Sequence, residues 1–301
     1  MLIIMLGGYL THIGWFDDRS SELLVDLVIK ISMPMLLIYN LIFNYTRAEL
    51  IQAASALLVP VLSLVLCYFL SILSGKLIGV DKGRIGAFRT MFLCSNTLFM
   101  GLPINIALFG EKSIPYVLMY YVVNTTFFWT LGAYEMAKDG DLISDRAFSL
   151  ESLKKVLSPP LIGMIIAVFL ILAGLTPPKF LMDTFKYLAN MTTPLSMLFI
   201  GISIYQTGFA KIKPNKEMAM IFLGRFIISP LSILLFSMIF PIEKLMRDVF
   251  VIQAAMPVIT SAAMVAKSYN ADYAYVSIMI TATTLACVII IPVLKTILEY
   301  I

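Results

Sequence analysis

The chain has 301 residues, 60% of them hydrophobic and 13% charged, with a formal net charge of +4. Soluble domains carry about a quarter charged residues, so this balance excludes an ordinary soluble enzyme and a nucleic-acid binder and places the chain in a bilayer. Three cysteines scattered through apolar runs (Cys67, Cys94, Cys287) make no disulfide framework, and one histidine, His12, makes no His-based metal cluster, so neither metal nor cofactor is expected.

In chain order, the opening MLIIMLGGYLTHIGWFDDR has no basic n-region and no small-residue cleavage pattern, and reads as a retained first helix over 2–16. Further apolar runs follow at 23–45, 50–73, 88–109 and 114–137, then at 156–175, 187–207, 219–240, 249–266 and 273–298. Runs of this length must be helical in lipid, because hydrocarbon offers backbone groups no partner. The expectation is an all-α integral membrane protein of ten transmembrane helices. A polar linker over 138–155 (KDGDLISDRAFSLESLKK) separates five spans in 1–137 from five in 156–301. Five is odd, so the two halves enter the membrane in opposite directions, which is the arithmetic of an inverted repeat.

Shared punctuation supports that reading. The second span of each half carries a proline, Pro34 and Pro194, and so does the fourth, Pro103 and Pro257, at spacings of 69 and 63 residues. With the N-terminus outside, 13 Lys/Arg fall in cytoplasmic loops and 7 on the other side. The positive-inside rule then places both termini outside the plasma membrane and the central linker in the cytoplasm.

The stretch NTLFMGLPINIALFG (96–110) combines amides, glycines and a proline in an uncharged span. A membrane proline can merely kink a packed helix, but Pro103 and Pro257 are surrounded by polar residues. Asn96, Thr97, Gly101 and Asn105 flank the first; Gln253, Thr260 and Ser261 flank the second. Broken helices at matched positions of two halves point to a transporter's central site, where half-helix N-termini favour an anion. Asn96 has two amide donors for that anion; the bland alternative is an interhelical hydrogen bond worth about 1 kcal/mol. Asn124, in the fifth span, poses the same choice. The substrate-binding set expected from these residues is Asn96, Thr97, Gly101, Pro103, Asn124, Gln253, Pro257 and Thr260.

Two cations stand near these segments. Arg225 either snorkels to the cytoplasmic surface or acts within the membrane in anion guidance or gating. Lys267 follows the second break and either guides anions or marks a positive-inside end. Glu22, Asp26 and Lys30 share one helical face and read as a solvated, self-pairing helix end.

These residues also carry a resemblance. NTLFMGLP (96–103) followed by Gly110 resembles the broken fourth helix of the auxin efflux carrier family, which includes plant PIN-type carriers and bacterial organic-acid permeases. TPLSMLFIGISI (193–204), RFIISP (225–230), and AMP (255–257) followed by AKSYN (266–270) are similar to the family's seventh, eighth and ninth helices. The resemblance implies two inverted five-helix repeats whose broken helices cross at Pro103 and Pro257, an architecture shared with cation–proton antiporters and bile-acid symporters. It also implies a homodimeric scaffold of spans 1, 2, 6 and 7, a mobile transport domain of spans 3–5 and 8–10, and Asn96 facing a substrate carboxylate. The long cytoplasmic loop of plant members is absent. Their acidic residue early in the third helix is replaced by Ala54-Ser55-Ala56.

No Walker motif, Asp-rich diphosphate motif or Ser-His-Asp set is present, so an enzyme is not expected. Neither segment at the expected breaks holds a membrane carboxylate, as a cation antiporter would need. The resulting expectation is a secondary carrier of a small organic anion such as a carboxylate, working by elevator-type alternating access. Sodium or proton coupling in a symporter or antiporter of the same build, and a non-transporting membrane sensor, are the alternatives.

Overall fold

The computed structural model describes residues 2–44, 46–47, 55–140, 159–207 and 214–300; among these the secondary structure is helical, with one isolated β-bridge and no strand. Helix α1 (Leu2–His12) stops short of the predicted residue 16 because Gly14 turns left-handed (φ 77°) and Trp15 N–H bonds back to Leu10 O. Asp17 then caps α2 by accepting from Ser20 N–H. Helix α2 runs over 18–44 as Asp18–Asp26, a π-helical stretch Leu27–Ser32, and Met33–Asn44. The Lys30–Asp26 pair at 2.6 Å on its exposed face is the self-paired helix end expected there.

Helix α3 (Leu58–Ile78) continues past the predicted residue 73, since Lys76 in its last turn favours the helix C-terminus. The fourth predicted span is two helices, α4 (Ile85–Leu93) and α5 (Thr97–Phe109), and Gly110 (φ 76°) ends the second. Helix α6 covers 114–139, with a π-helical stretch Phe128–Gly132. The second half holds α7 (Pro159–Ala173), α8 (Lys179–Ala189), α9 (Thr192–Thr207), α10 (Lys216–Ile239), α11 (Lys244–Ala254), α12 (Ser261–Ser268) and α13 (Tyr273–Glu299). The span predicted at 187–207 begins only at Thr192; α8 before it is a separate amphipathic helix, with Phe180 and Tyr187 exposed. From residue 141 the expected linker lies outside the described residues, and so does Ala54. Four described helical stretches are long and apolar enough to cross a membrane: Arg19–Phe43, Leu58–Ile78, Lys216–Ile239 and Tyr273–Glu299.

The prolines follow a rule that changes where the first break lies. Pro34, Pro103 and Pro230 each sit second in an α-helical segment directly after a π-helical one: Leu27–Ser32, Thr97–Gly101 and Gly224–Ile228. Each widened stretch ends on an i→i−5 bond, Met33 N–H to Val28 O, Gly101 N–H to Asn96 O and Ser229 N–H to Gly224 O. The donorless residue therefore falls where the bonding register has already shifted, and the helix continues through it. Pro103 consequently breaks nothing. The chain leaves the helix at Cys94–Asn96, seven residues upstream of the expected position, whereas Pro257 lies inside the second break, between α11 and α12.

Contacts divide the chain into two compact units. The first comprises the described residues of Met1–Ser55, Leu102–Pro115 and Leu157–Gln206. Within it, glycines let backbones meet. A Cβ on Gly7 would lie 2.3 Å from Leu198 O, one on Gly201 would lie 2.0 Å from Ile4 O, and one on Gly163 would lie 2.7 Å from Pro34 Cα. So α1 seats on α9, and α7 on α2, by the close approach that small residues permit in membranes. Ser32 adds hydroxyl bonds to Leu188 O and to Thr192. An apolar groove of about 360 Å³ in this unit, lined by Ile38, Ile166, Leu170, Leu181 and Phe185 among others, offers a ligand no charge.

The second unit comprises the described residues of Ala56–Gly101, Tyr116–Val156 and Thr207–Ile301. Seven of the nine residues of α4 are buried, which makes it the central element of this bundle. Gly86 and Gly132 bring α6 against it, and Asp139 at the end of α6 accepts from Gly86 and Ala87 N–H at 2.8 and 2.6 Å, capping α4 from outside its own sequence. Burial raises the Asp139 carboxyl above its ordinary value, against the pull of those two donors. Buried Glu135 accepts from the Tyr68 hydroxyl at 2.6 Å and from Arg89 at 2.8 Å, joining α3, α4 and α6.

Glu135→Gln leaves the Arg89 charge without its partner. Because Arg89 keeps some solvent contact, the expected loss is about 2–3 kcal/mol, below the roughly 3–5 kcal/mol typical of a fully buried pair. Tyr68→Phe should cost about 1 kcal/mol. Denaturant unfolding in detergent checks both, and equal stability of Glu135→Gln and parent would remove this triad from the account.

Candidate functional site

The site forms where the two breaks meet. Pro257 has no N–H and pushes Met256 out of helical geometry, so α11 ends at Ala254 and the chain runs non-helically to Thr260. The first break has no proline. Its signal is Ser95-Asn96-Thr97, residues whose side chains compete with helical backbone bonds. The freed groups pair with each other. Asn96 N–H donates to Pro257 O at 2.8 Å, Ile259 N–H donates to Cys94 O at 3.3 Å, and Ser95 and Val258 form an antiparallel bridge. Two membrane-depth breaks thus satisfy one another by a minimal β ladder.

Side chains brace each strand of the ladder. Asn124 Oδ1 accepts from Ser95 N–H at 2.9 Å and its Nδ2 donates to Ser95 O at 2.9 Å. Of the two readings open for Asn124, these bonds are those of the interhelical one: its amide substitutes for the helix partners that Ser95 lacks. On the other strand, Thr283 of α13 accepts from Val258 N–H at 3.2 Å and donates to Met279 O at 2.8 Å. Sequence reasoning missed Thr283, because a threonine in an apolar helix gives no sign of which backbone it serves.

Arg225 does not snorkel. It is wholly buried, and its five N–H donors all reach main-chain carbonyls. Nε donates to Met256 O at 3.1 Å; Nη1 donates to Phe92 O at 3.4 Å and Leu93 O at 2.8 Å; Nη2 donates to Ala254 O and to Met256 O at 3.0 Å. The Phe92, Leu93 and Ala254 carbonyls belong to the C-terminal ends of α4 and α11, and Met256 lies two residues past α11, inside the break. No carboxylate among the described residues forms an ion pair with it; Asp248, in α11, pairs with Arg247 at 2.9 Å.

On the outgoing side, α5 and α12 present their N-termini. Asn96 is 3% exposed, and its Nδ2 has no hydrogen-bond partner among the described residues. Gln253 donates from Nε2 to Thr97 O at 3.2 Å, which fixes its amide orientation and leaves Oε1 buried without a partner among the described residues. A Cβ on Gly101 would stand 2.1 Å from that oxygen, so any larger residue there would displace the Gln253 amide.

Of the predicted residues, Asn96, Thr97, Gly101, Asn124, Arg225, Gln253 and Pro257 are brought together within the second unit. Thr260 stands half-buried at the entry of α12. Pro103 is grouped with the first unit and takes no part in the break. Lys267 lies in α12 with its side chain outside the described residues.

Comparison with known proteins points to a transporter. The membrane transport protein family matches residues 1–295. An uncharacterized transporter of Methanocaldococcus jannaschii is 25% identical over 304 residues, covering 97% of this chain and 94% of the relative. An uncharacterized transporter of Methanothermobacter thermautotrophicus is 25% identical over 303 residues, with the same coverage. A match over nearly the whole length, to a helical chain with apolar spans, places the protein in a membrane: it belongs to the membrane transport protein family, that of the auxin efflux carriers.

Proposed function

We propose that this protein is a secondary carrier of a small organic anion, a carboxylate above all, that works by alternating access of elevator type. The observation that carries this reading is the polarity of the crossing. Two half-helix N-termini and the unpartnered Asn96 amide donor meet beside a buried guanidinium, and no acidic residue lies in 94–101 or 253–266. Such a site stabilises negative charge and penalises a cation. Sodium or protons would enter as coupling ions.

The wider architecture of the proposal is ten spans in two inverted repeats, with both termini outside. Reciprocal seating of α1 on α9 and α7 on α2 supports the repeat. So does the spacing from each second-span proline to its bridge residue: 61 residues from Pro34 to Ser95, and 64 from Pro194 to Val258. The first unit corresponds to a dimeric scaffold and the second to a transport body, and the partition of contacts supports that division.

Asn96→Ala should weaken binding of a carboxylate by about 10- to 100-fold, the equivalent of one unmatched buried contact to a charged group, with thermal stability retained. Titration of a carboxylate panel against purified variant and parent checks this; unchanged affinity would remove Asn96 from the site.

The two prolines should now part company. Pro257→Ala permits α11 to wind on and cover the groups used by the ladder, and should abolish most uptake into proteoliposomes while the protein stays folded. Pro103→Ala, outside the break, should retain most uptake. Equal loss in both variants would return the first break to Pro103.

A further inference from the structure

We propose that Arg225 is the positioning residue that locks the two breaks into one body, so that α4, α10 and α11 move as a unit while the substrate is carried. This deepens the carrier reading and rests on it for the word movement; the locking itself stands on geometry alone.

Two helix C-termini converge at the crossing. Each carries about half a negative elementary charge on carbonyls without intrahelical partners, so their convergence is unfavourable in a low dielectric. Arg225 reverses that sign. Its planar fork takes the Phe92 and Leu93 carbonyls from the end of α4 with one arm, and the Ala254 carbonyl from the end of α11 and the Met256 carbonyl of the break just after it with the rest. A lysine has three donors on one compact ammonium and no plane, so it cannot supply all five of these bonds.

Local structure is built to deliver this side chain. Arg225 lies in the π-helical stretch Gly224–Ile228 of α10, whose widened turn precedes Pro230. A Cβ on Gly224 would stand 2.5 Å from the Phe92 ring, so glycine lets α10 close on α4 beside the carbonyls that Arg225 takes.

The same count shows that Arg225 is not a substrate ligand in this conformation. With five donors committed, contact with an anion would require releasing carbonyls at membrane depth, each at the cost of an unpaired buried group. Its charge acts through space, and its bonds act on position.

The test is hydrogen–deuterium exchange of the full-length protein in lipid nanodiscs, read on peptides covering 90–101 and 252–262. Arg225→Lys keeps the charge and loses the fork, and Arg225→Gln loses both. In each variant that folds, both peptides should exchange about tenfold faster or more, together, as expected when charge-assisted bonds are lost; peptides from α1 and α7 should be unchanged. An increase confined to one break, or none in Arg225→Lys, overturns the proposal. In the parent protein, the Asn96 and Ile259 amides should open as one cooperative step across a denaturant series, and separate openings would equally overturn it. Neither readout needs a substrate. Loss of coupled exchange therefore counts against the lock, and absence of carboxylate transport in the parent counts against the carrier reading.

Discussion

A helix interrupted inside a bilayer frees carbonyls at one end and N–H groups at the other, where no water can take them. Every distinctive feature of the second unit answers that constraint. The two breaks pair with each other through Asn96–Pro257 and Ile259–Cys94. Asn124 and Thr283 complete the outer edges of the pair. One arginine absorbs the carbonyls of both incoming helices. The accounting is nearly closed for the backbone carbonyls, and among the described residues two side-chain atoms at the crossing stand unmatched, the Asn96 Nδ2 donor and the Gln253 Oε1 acceptor. In a native interior such a vacancy is costly. In the proposed carrier the substrate would fill it, and the difference between empty and filled states would become binding energy.

The asymmetry of charge follows from the same constraint. Dipoles of the incoming helices favour a cation at the crossing, and the protein supplies a permanent one of its own. Dipoles of the outgoing helices favour an anion, and the protein supplies none: Gln253, Gly101 and Thr97 are neutral. In the proposed carrier, satisfying one pair of helix ends with a fixed side chain and leaving the other pair for a ligand is what favours negative charge at the site. The remaining ionic contacts of this unit, Glu135 with Arg89 and Asp139 with the start of α4, hold the bundle around the crossing.

Much of this was legible in the residues. The helical, membrane-embedded character follows from uninterrupted apolar runs, and the second break follows from Pro257, whose ring and missing donor have local consequences. The first break was misplaced because a membrane proline has two outcomes: Pro103 sits behind a π-helical stretch that absorbs it, and nothing in its own neighbours announces that stretch. Asn124 and Arg225 were flagged as polar groups in lipid, but their partners are backbone atoms 29 to 133 residues away. Backbone partners leave no mark in a sequence. Only the fold, by bringing the ends of α4 and α11 to one guanidinium, assigns those side chains their work.

The central claim is that this crossing binds an organic anion and exchanges it across the membrane. Counterflow tests it most directly, since exchange needs no knowledge of the coupling ion. Proteoliposomes loaded with an unlabelled carboxylate are diluted into a trace of the same compound carrying a radiolabel. The account predicts a transient accumulation of label above equilibrium for at least one carboxylate, and none for organic cations. No overshoot with any carboxylate, together with an overshoot for an organic cation, would contradict it.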